Sequence, residues 1–310
     1  MEEGTGPLVL LVHGFPESWY SWRRQLPVIA DAGFRAVAID VRGYGRSSAP
    51  LEVEAYGMLE HVSDNVAVVE ALTGPGSSAI VIGHDWGAPI AAHSALLRPD
   101  VFAGVAMLSV PYSPPGGRRP TDAFAELGRL AGPDEEFYIN YFQEPGRAER
   151  EIELDVRSWL LGFYLAASAD GVRSASAGGS IATVARGTLL RDRFPVTDVL
   201  PDWLTEDDLG FYVEEFERTG FRGPLNRYRS VDRDWHDLQV WKDAPIRVPS
   251  LFIGGELDGP TLWGGRAIAR FPDTLPDLRG SHIVAGCGHW VQQEGADEVN
   301  RLLVDWLTSL

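Results

Sequence analysis

Residues 83–88 read GHDWGA and lie between an apolar run of strand length, SAIVI (78–82), and a helix-forming stretch. Gly83 and Gly87 bracket Asp85 in a G-x-D-x-G pattern, the layout of a sharp strand-to-helix turn that presents a nucleophile. Serine is the usual residue at its centre, and here it is aspartate. Serine attacking a saturated carbon leaves an ether, which water does not readily cleave. Aspartate leaves an ester, whose carbonyl can be hydrolysed. A carboxyl group of reference pKa ~3.9 also needs no prior deprotonation. Asp85 therefore points to displacement at an alkyl carbon followed by ester hydrolysis. The plainer role is a cap on the helix opening at Trp86, but strand, glycine spacing and helix together favour the nucleophile.

The surrounding pattern is alternating. PLVLLVHG (7–14), FRAVAID (34–40), SAIVIGHD (78–85) and FAGVAMLSV (102–110) have the length and continuous apolarity of buried parallel strands. Between them Leu59, Val62, Val66, Val69 and Leu72 share one helical face. From 111 to 232 the chain is aromatic, charge-rich and helical, with no convincing buried strand. PSLFIGG (249–255) and RGSHIVAG (279–286) resume the strands, and Val299, Leu302, Leu303, Trp306 and Leu307 stripe a last helix. This predicts an α/β core of residues 1–110 and 233–310, a mostly parallel sheet with flanking helices, interrupted by a helical cap at 111–232. SASAGGS (174–180) reads as a flexible loop in the cap.

Composition narrows the partners. The 310 residues carry 44 acidic and 27 basic side chains, a net charge of -17, which repels nucleic acid and anionic lipid. A single cysteine, Cys287, allows no internal disulfide. No apolar run approaches the ~20 residues of a membrane span, and MEEGTGP lacks a secretory pattern, so a soluble cytoplasmic protein without membrane insertion is expected. A homodimer is compatible with the sequence and not indicated by it. Clustered metal ligands and a glycine-rich dinucleotide fingerprint are missing, so no metal or organic cofactor is expected.

Ester hydrolysis needs a base and an acid that orients it. His289, in GCGHWVQQE (286–294), follows the last predicted strand and precedes the last helix, where the chain order nucleophile, acid, histidine places the base. His84 flanks the turn and His282 lies in a strand, positions that suit structural roles. LFIGGELDGPT (251–261) offers Glu256 and Asp258 beyond a strand end. Either can fix the tautomer of His289, which activates water. HGFP (13–16) follows the first strand, so the backbone N–H groups of Phe15 and Trp86 are expected to form the oxyanion hole.

HGFPESWYSW (13–22), GHDWGA, YFQEPGRAE (141–149), WLTEDDLGFYVEEFERTGFRGPLNRYR (203–229) and GCGHWVQQE together resemble the soluble epoxide hydrolases of the α/β-hydrolase superfamily, over nearly the whole chain. The resemblance implies an α/β-hydrolase fold, an apolar epoxide as substrate, a vicinal diol as product and Asp258 as the orienting acid. It places the ring-opening tyrosines at Tyr141 and Tyr228, with Tyr138 and Tyr164 as substitutes. Phe15, Trp86 and both tyrosines are then substrate contacts. The chemistry agrees, since an epoxide leaves as an alkoxide and needs a hydrogen-bond donor, and a tyrosine of reference pKa ~10 stays protonated. Arg227 stands where the family often has tryptophan. Only twelve residues precede His13, where family members carry two antiparallel strands. The expectation is therefore about six strands, with FRAVAID as an open edge. A haloalkane dehalogenase would use the same nucleophile and base without the tyrosines. A fluoroacetate dehalogenase usually has arginine at Trp86. A non-catalytic binder of apolar ligands is the reading from another class.

Overall fold

The computed structural model describes residues 1–174, 181–195 and 199–310. One interior strand of its sheet is β2 (Leu8–Val12), whose five residues are all buried. A strand apolar on both faces belongs inside a parallel sheet covered by helices on both sides. It pairs in parallel with β3 (Arg35–Ile39) on one side and β4 (Ala79–His84) on the other. Parallel β5 (Phe102–Leu108), β8 (Ser250–Gly255) and β9 (Leu278–Val284) follow beyond β4.

The other edge corrects an expectation. A seventh strand, β1 (Glu2–Glu3), runs antiparallel to β3, pairing Glu2 with Val37 and Glu3 with Ala36. The amino group of Met1 continues this contact by donating to the Ala38 carbonyl at 2.8 Å. FRAVAID is thus covered by one short antiparallel strand and is not an open edge. Two charged residues of strand carry no readable period, which is why sequence pattern passes over them.

The register positions the chemistry. Val12 lies opposite Gly83, His84 opposite Leu108, Leu108 opposite Ile253, and Gly255 opposite Val284. The loops that leave β2, β4, β5, β8 and β9 therefore emerge side by side at the carboxyl ends, where open α/β sheets bind ligands. The helix Gly87–Leu97 leaves β4 at once. Added methyl groups at Gly83 and Gly87 would lie 1.9 Å from the Gly87 and Val12 carbonyl oxygens, so this packing admits no side chain at either glycine. Leu11, Ile82, Leu108, Ile253, Val299 and Trp306 belong to the core cluster formed with the closing helix Ala296–Leu307.

Two compact units divide the chain. One comprises Met1–Val41, Met58–Pro114 and Trp241–Leu310, and the other Arg42–Gly57 with Pro115–Val240. The second unit includes helices Pro120–Ala131, Val156–Ala167, Glu206–Thr219 and Arg222–Arg229. It also has a small antiparallel pair, β6 (Glu135–Phe137) with β7 (Thr183–Ala185), too short to be read from sequence. Arg42–Gly57 joins this unit because Arg227 ties it there. Arg227 is 2% exposed, donates to the Tyr56 carbonyl and pairs with Asp234. Its guanidinium ties three segments of this unit together. Trp159 and Phe163 stack at 5.0 Å among Phe194 and Phe221 and form interior packing. Of SASAGGS, residues 175–180 lie outside the described residues.

Leu11 is fully buried in the interior strand β2. Leu11→Ala is expected to lower the unfolding free energy by about 2–5 kcal/mol through lost burial and a residual cavity, measured by urea denaturation.

Candidate active site

Asp85 follows β4 directly and holds φ of +50°, a left-handed conformation unusual for a residue with a side chain. Strain of this kind is found where surrounding structure enforces it, often at a reacting group. Its carboxylate is nearly buried and its two oxygens have different surroundings. Oδ1 accepts from the Phe15 amide at 2.7 Å, and Oδ2 lies 3.4 Å from His289 Nε2. Gly14 makes the first contact feasible, because a methyl group there would meet Oδ1 at 2.3 Å. Trp86, whose amide directly follows Asp85, stands at the start of the helix Gly87–Leu97.

His289 Nδ1 faces Asp258 Oδ1 at 2.9 Å. Asp258 has no exposure and also caps the helix Gly259–Trp263 through the Thr261 amide at 3.2 Å. Glu256 is exposed, and its carboxylate accepts instead from the Gly286 amide at 2.8 Å. Of the two acids offered by the loop, Asp258 is the one that meets His289. Burial is the largest single influence on the imidazole and opposes its charged form. The carboxylates of Asp258 and Asp85 outweigh it together, raising the His289 pKa well above the ordinary histidine range.

Two further groups converge here that sequence reasoning did not single out. Glu17 is buried and takes the Gly14 amide at 3.1 Å, His84 Nδ1 at 2.8 Å and Gln292 Nε2 at 2.9 Å. His84 Nε2 faces the His289 carbonyl at 2.7 Å. Glu17 and His84 thus form a buried hydrogen-bonded pair joining the loop of Gly14, the turn at Asp85 and the loop of His289. Burial alone would raise the Glu17 carboxyl, but His84 above all holds it down at about 2. Ser109, after β5, donates to Asp258 Oδ2 at 2.8 Å and lies 3.0 Å from His289 Nδ1. Apart from the Gly14 amide, these contacts span 67 to 275 positions of chain, so no local spacing announces them. His13 is separate: its Nδ1 meets the Gly14 carbonyl, its Nε2 takes the Val41 amide, and burial above all lowers its pKa.

The expected tyrosines lie in the second unit. Tyr141 is 1% exposed and its hydroxyl donates to the Glu151 carboxylate. Burial first, and that carboxylate next, push its pKa up. Glu151 is also held by Trp159 Nε1 at 3.0 Å and by the amides of Leu190 and Arg191 at 3.1 and 2.8 Å. Tyr138 is half-buried and sets its ring edge against Tyr228 at 6.2 Å. Phe142 flanks Tyr228 at 5.0 Å. Tyr164 packs against Tyr212 and Trp203 in the interior of that unit.

The family model described as the alpha/beta hydrolase fold matches residues 7–296. Epoxide hydrolase B of Mycobacterium tuberculosis strain H37Rv is 45% identical over 98% of this chain and 92% of its own. The structure described as an epoxide hydrolase from an endophytic Streptomyces superposes with a TM-score of 0.94, at 61% identity, covering 99% of this chain and 90% of its own. Epoxide hydrolase A from Mycobacterium thermoresistibile gives a TM-score of 0.90 at 41% identity, covering 99% and 93%. Among the described residues no helix is long and apolar enough to cross a membrane.

The Glu17 carboxyl falls to about 2 in the fold from an ordinary 4.5. Its stabilising contribution is therefore complete above about pH 4.5 and lost as pH falls toward 2. Glu17→Gln is expected to reduce stability at pH 7 by about 3 kcal/mol, with the gap to wild type narrowing as the pH falls below 4.5, followed by urea denaturation across that range.

Proposed function

We propose, for a chain that belongs to the α/β-hydrolase fold family and within it to the epoxide hydrolases, hydrolysis of an apolar epoxide to a vicinal diol through an ester on Asp85. The observation that carries the mechanism is the asymmetric environment of the Asp85 carboxylate, one oxygen held by the Phe15 amide and the other turned to His289.

In the first half, Oδ2 attacks an epoxide carbon and the ring carbon–oxygen bond breaks. Oδ1 becomes the ester carbonyl oxygen, already placed at the Phe15 amide. The released alkoxide is poor as a leaving group and takes a proton or hydrogen bond from tyrosine. Tyr228 keeps the role that the resemblance implies. For its partner Tyr138 replaces Tyr141, because the single hydroxyl proton of Tyr141 is committed to Glu151 and its raised pKa makes it a weaker acid. Tyr138 instead shares a ring contact with Tyr228.

In the second half, His289, oriented by Asp258, takes a proton from water as its oxygen adds to the Asp85 carboxyl carbon. The oxyanion that forms at Oδ1 is stabilised by the Phe15 and Trp86 amides; one such donor is worth about 2.7–4 kcal/mol in reactions of this type. Collapse breaks the bond to Oδ2, the diol leaves with that oxygen protonated, and the second proton of the water restores the tyrosine. Ester formation itself prepares His289 for this step. It removes the Asp85 charge, one of the two that raise the imidazole pKa, so burial, which favours the neutral base, is opposed by Asp258 alone. A halide needs no protonation to leave, so paired tyrosine donors suit an epoxide better than a haloalkane.

His289→Gln is expected to accumulate the ester, seen as a mass increment on Asp85 equal to the epoxide; full steady-state turnover by this variant would overturn the assignment. Tyr138→Phe and Tyr228→Phe are expected to slow ester formation by ~10²- to 10⁴-fold. Tyr141→Phe should retain turnover and lose about 1–3 kcal/mol of stability, because it leaves Glu151 short of a donor; equal loss of ester formation in the Tyr141 variant would restore it to the site.

A further inference from the structure

We infer that Ser109 is a positioning residue for ester hydrolysis, locking Asp258 and His289 into one relation while taking no part in ester formation. The inference rests on the roles proposed above for Asp85, Asp258 and His289. Ser109 is fully buried and holds φ of +70°, a conformation that favours glycine. Its amide donates to the Ile253 carbonyl at 2.9 Å, and its carbonyl lies 2.9 Å from the Thr261 hydroxyl, whose one proton is shared with Asp258 Oδ2 at 2.6 Å.

A serine where the backbone suits glycine calls for a reason in its hydroxyl. That hydroxyl donates to Asp258 Oδ2 at 2.8 Å and lies 3.0 Å from His289 Nδ1. The Nδ1 proton has Asp258 Oδ1 as its main acceptor at 2.9 Å and Ser109 Oγ as a second. Three groups thus close a triangle in which both carboxylate oxygens are engaged. The carboxylate cannot rotate, and the ring keeps Nε2 directed at Asp85. A hydroxyl provides this restraint without adding a third charge beside the imidazole.

Ester formation draws on Asp85 and the tyrosines, and hydrolysis draws on His289. Loss of the Ser109 hydroxyl should therefore divide the two steps. In Ser109→Gly, which suits the backbone, and Ser109→Ala, rapid-quench mass spectrometry with an aryl epoxide should show ester formation within about twofold of wild type and ester hydrolysis slowed by roughly tenfold or more. The ester then dominates the steady state, and kcat and KM fall together with kcat/KM nearly unchanged. A Ser109→Gly enzyme that hydrolyses the ester at the wild-type rate overturns the inference, and so does equal slowing of both steps. His289→Gln serves as the control. If it traps the ester while Ser109→Gly turns over normally, only the Ser109 role fails; if it too hydrolyses the ester normally, the role of His289 fails with it.

Discussion

One imidazole stands between two carboxylates in a site almost closed to water, and much of the surrounding architecture follows from that arrangement. Asp85 and Asp258 approach His289 from its two ring nitrogens, 3.4 and 2.9 Å away. Like charges brought into a poorly solvated space must be compensated. The imidazole supplies part of that compensation, the Phe15 amide takes one oxygen of Asp85, and Ser109 and Thr261 take one oxygen of Asp258. Behind these, Glu17 and His84 form a second buried pair that fixes the loops carrying the first. The site is a layered set of charges, each held by groups of opposite sign or by hydrogen-bond donors, on the ends of strands that leave little freedom to adjust.

Those strand ends supply the precision. In a parallel sheet, pairing register sets which loops become neighbours, and a slip by one residue would turn every side chain to the other face. Val12 opposite Gly83 brings the loop of Gly14 and Phe15 to Asp85, and Gly255 opposite Val284 brings Asp258 to His289. Close approach is then limited by atomic size. Gly14, Gly83 and Gly87 leave no room for a methyl group. These glycines are fixed as firmly as the reacting residues, although none of them takes part in bond making.

Asp85 and His289 could be singled out in the sequence because each follows a predicted strand in the chain order the fold expects, and strands end where glycine or a polar residue forces a turn; the loop after β8 offered Glu256 and Asp258 alike, and the resemblance alone chose Asp258. The alternation of strands with helices gave the α/β architecture for the same reason. Other parts depend on information that local pattern does not hold. Tyr138 and Tyr141 are three positions apart in one short helical turn, so spacing cannot separate them; the Glu151 carboxylate does, by engaging Tyr141. Arg227, at a position where the family often has tryptophan, is a buried strut to Asp234 and Tyr56. Met1–Glu3 is too short to show a period, and the partners of Glu17 and Ser109 come from distant chain segments that no local pattern links to them.

The clasp on one oxygen of Asp85 also has a meaning for the lifetime of individual atoms. Oδ1 is held at the Phe15 amide in the resting carboxylate, and in the proposed cycle it stays there as ester carbonyl and as oxyanion. In the proposed cycle Oδ2 departs in the diol, and an oxygen from solvent takes its seat. A carboxylate tumbling freely would soon scramble the two positions, but this one is restrained from turning over. The catalytic side chain is therefore partly permanent and partly transient: one oxygen endures through the working life of the protein, while its neighbour is surrendered and replaced at every round.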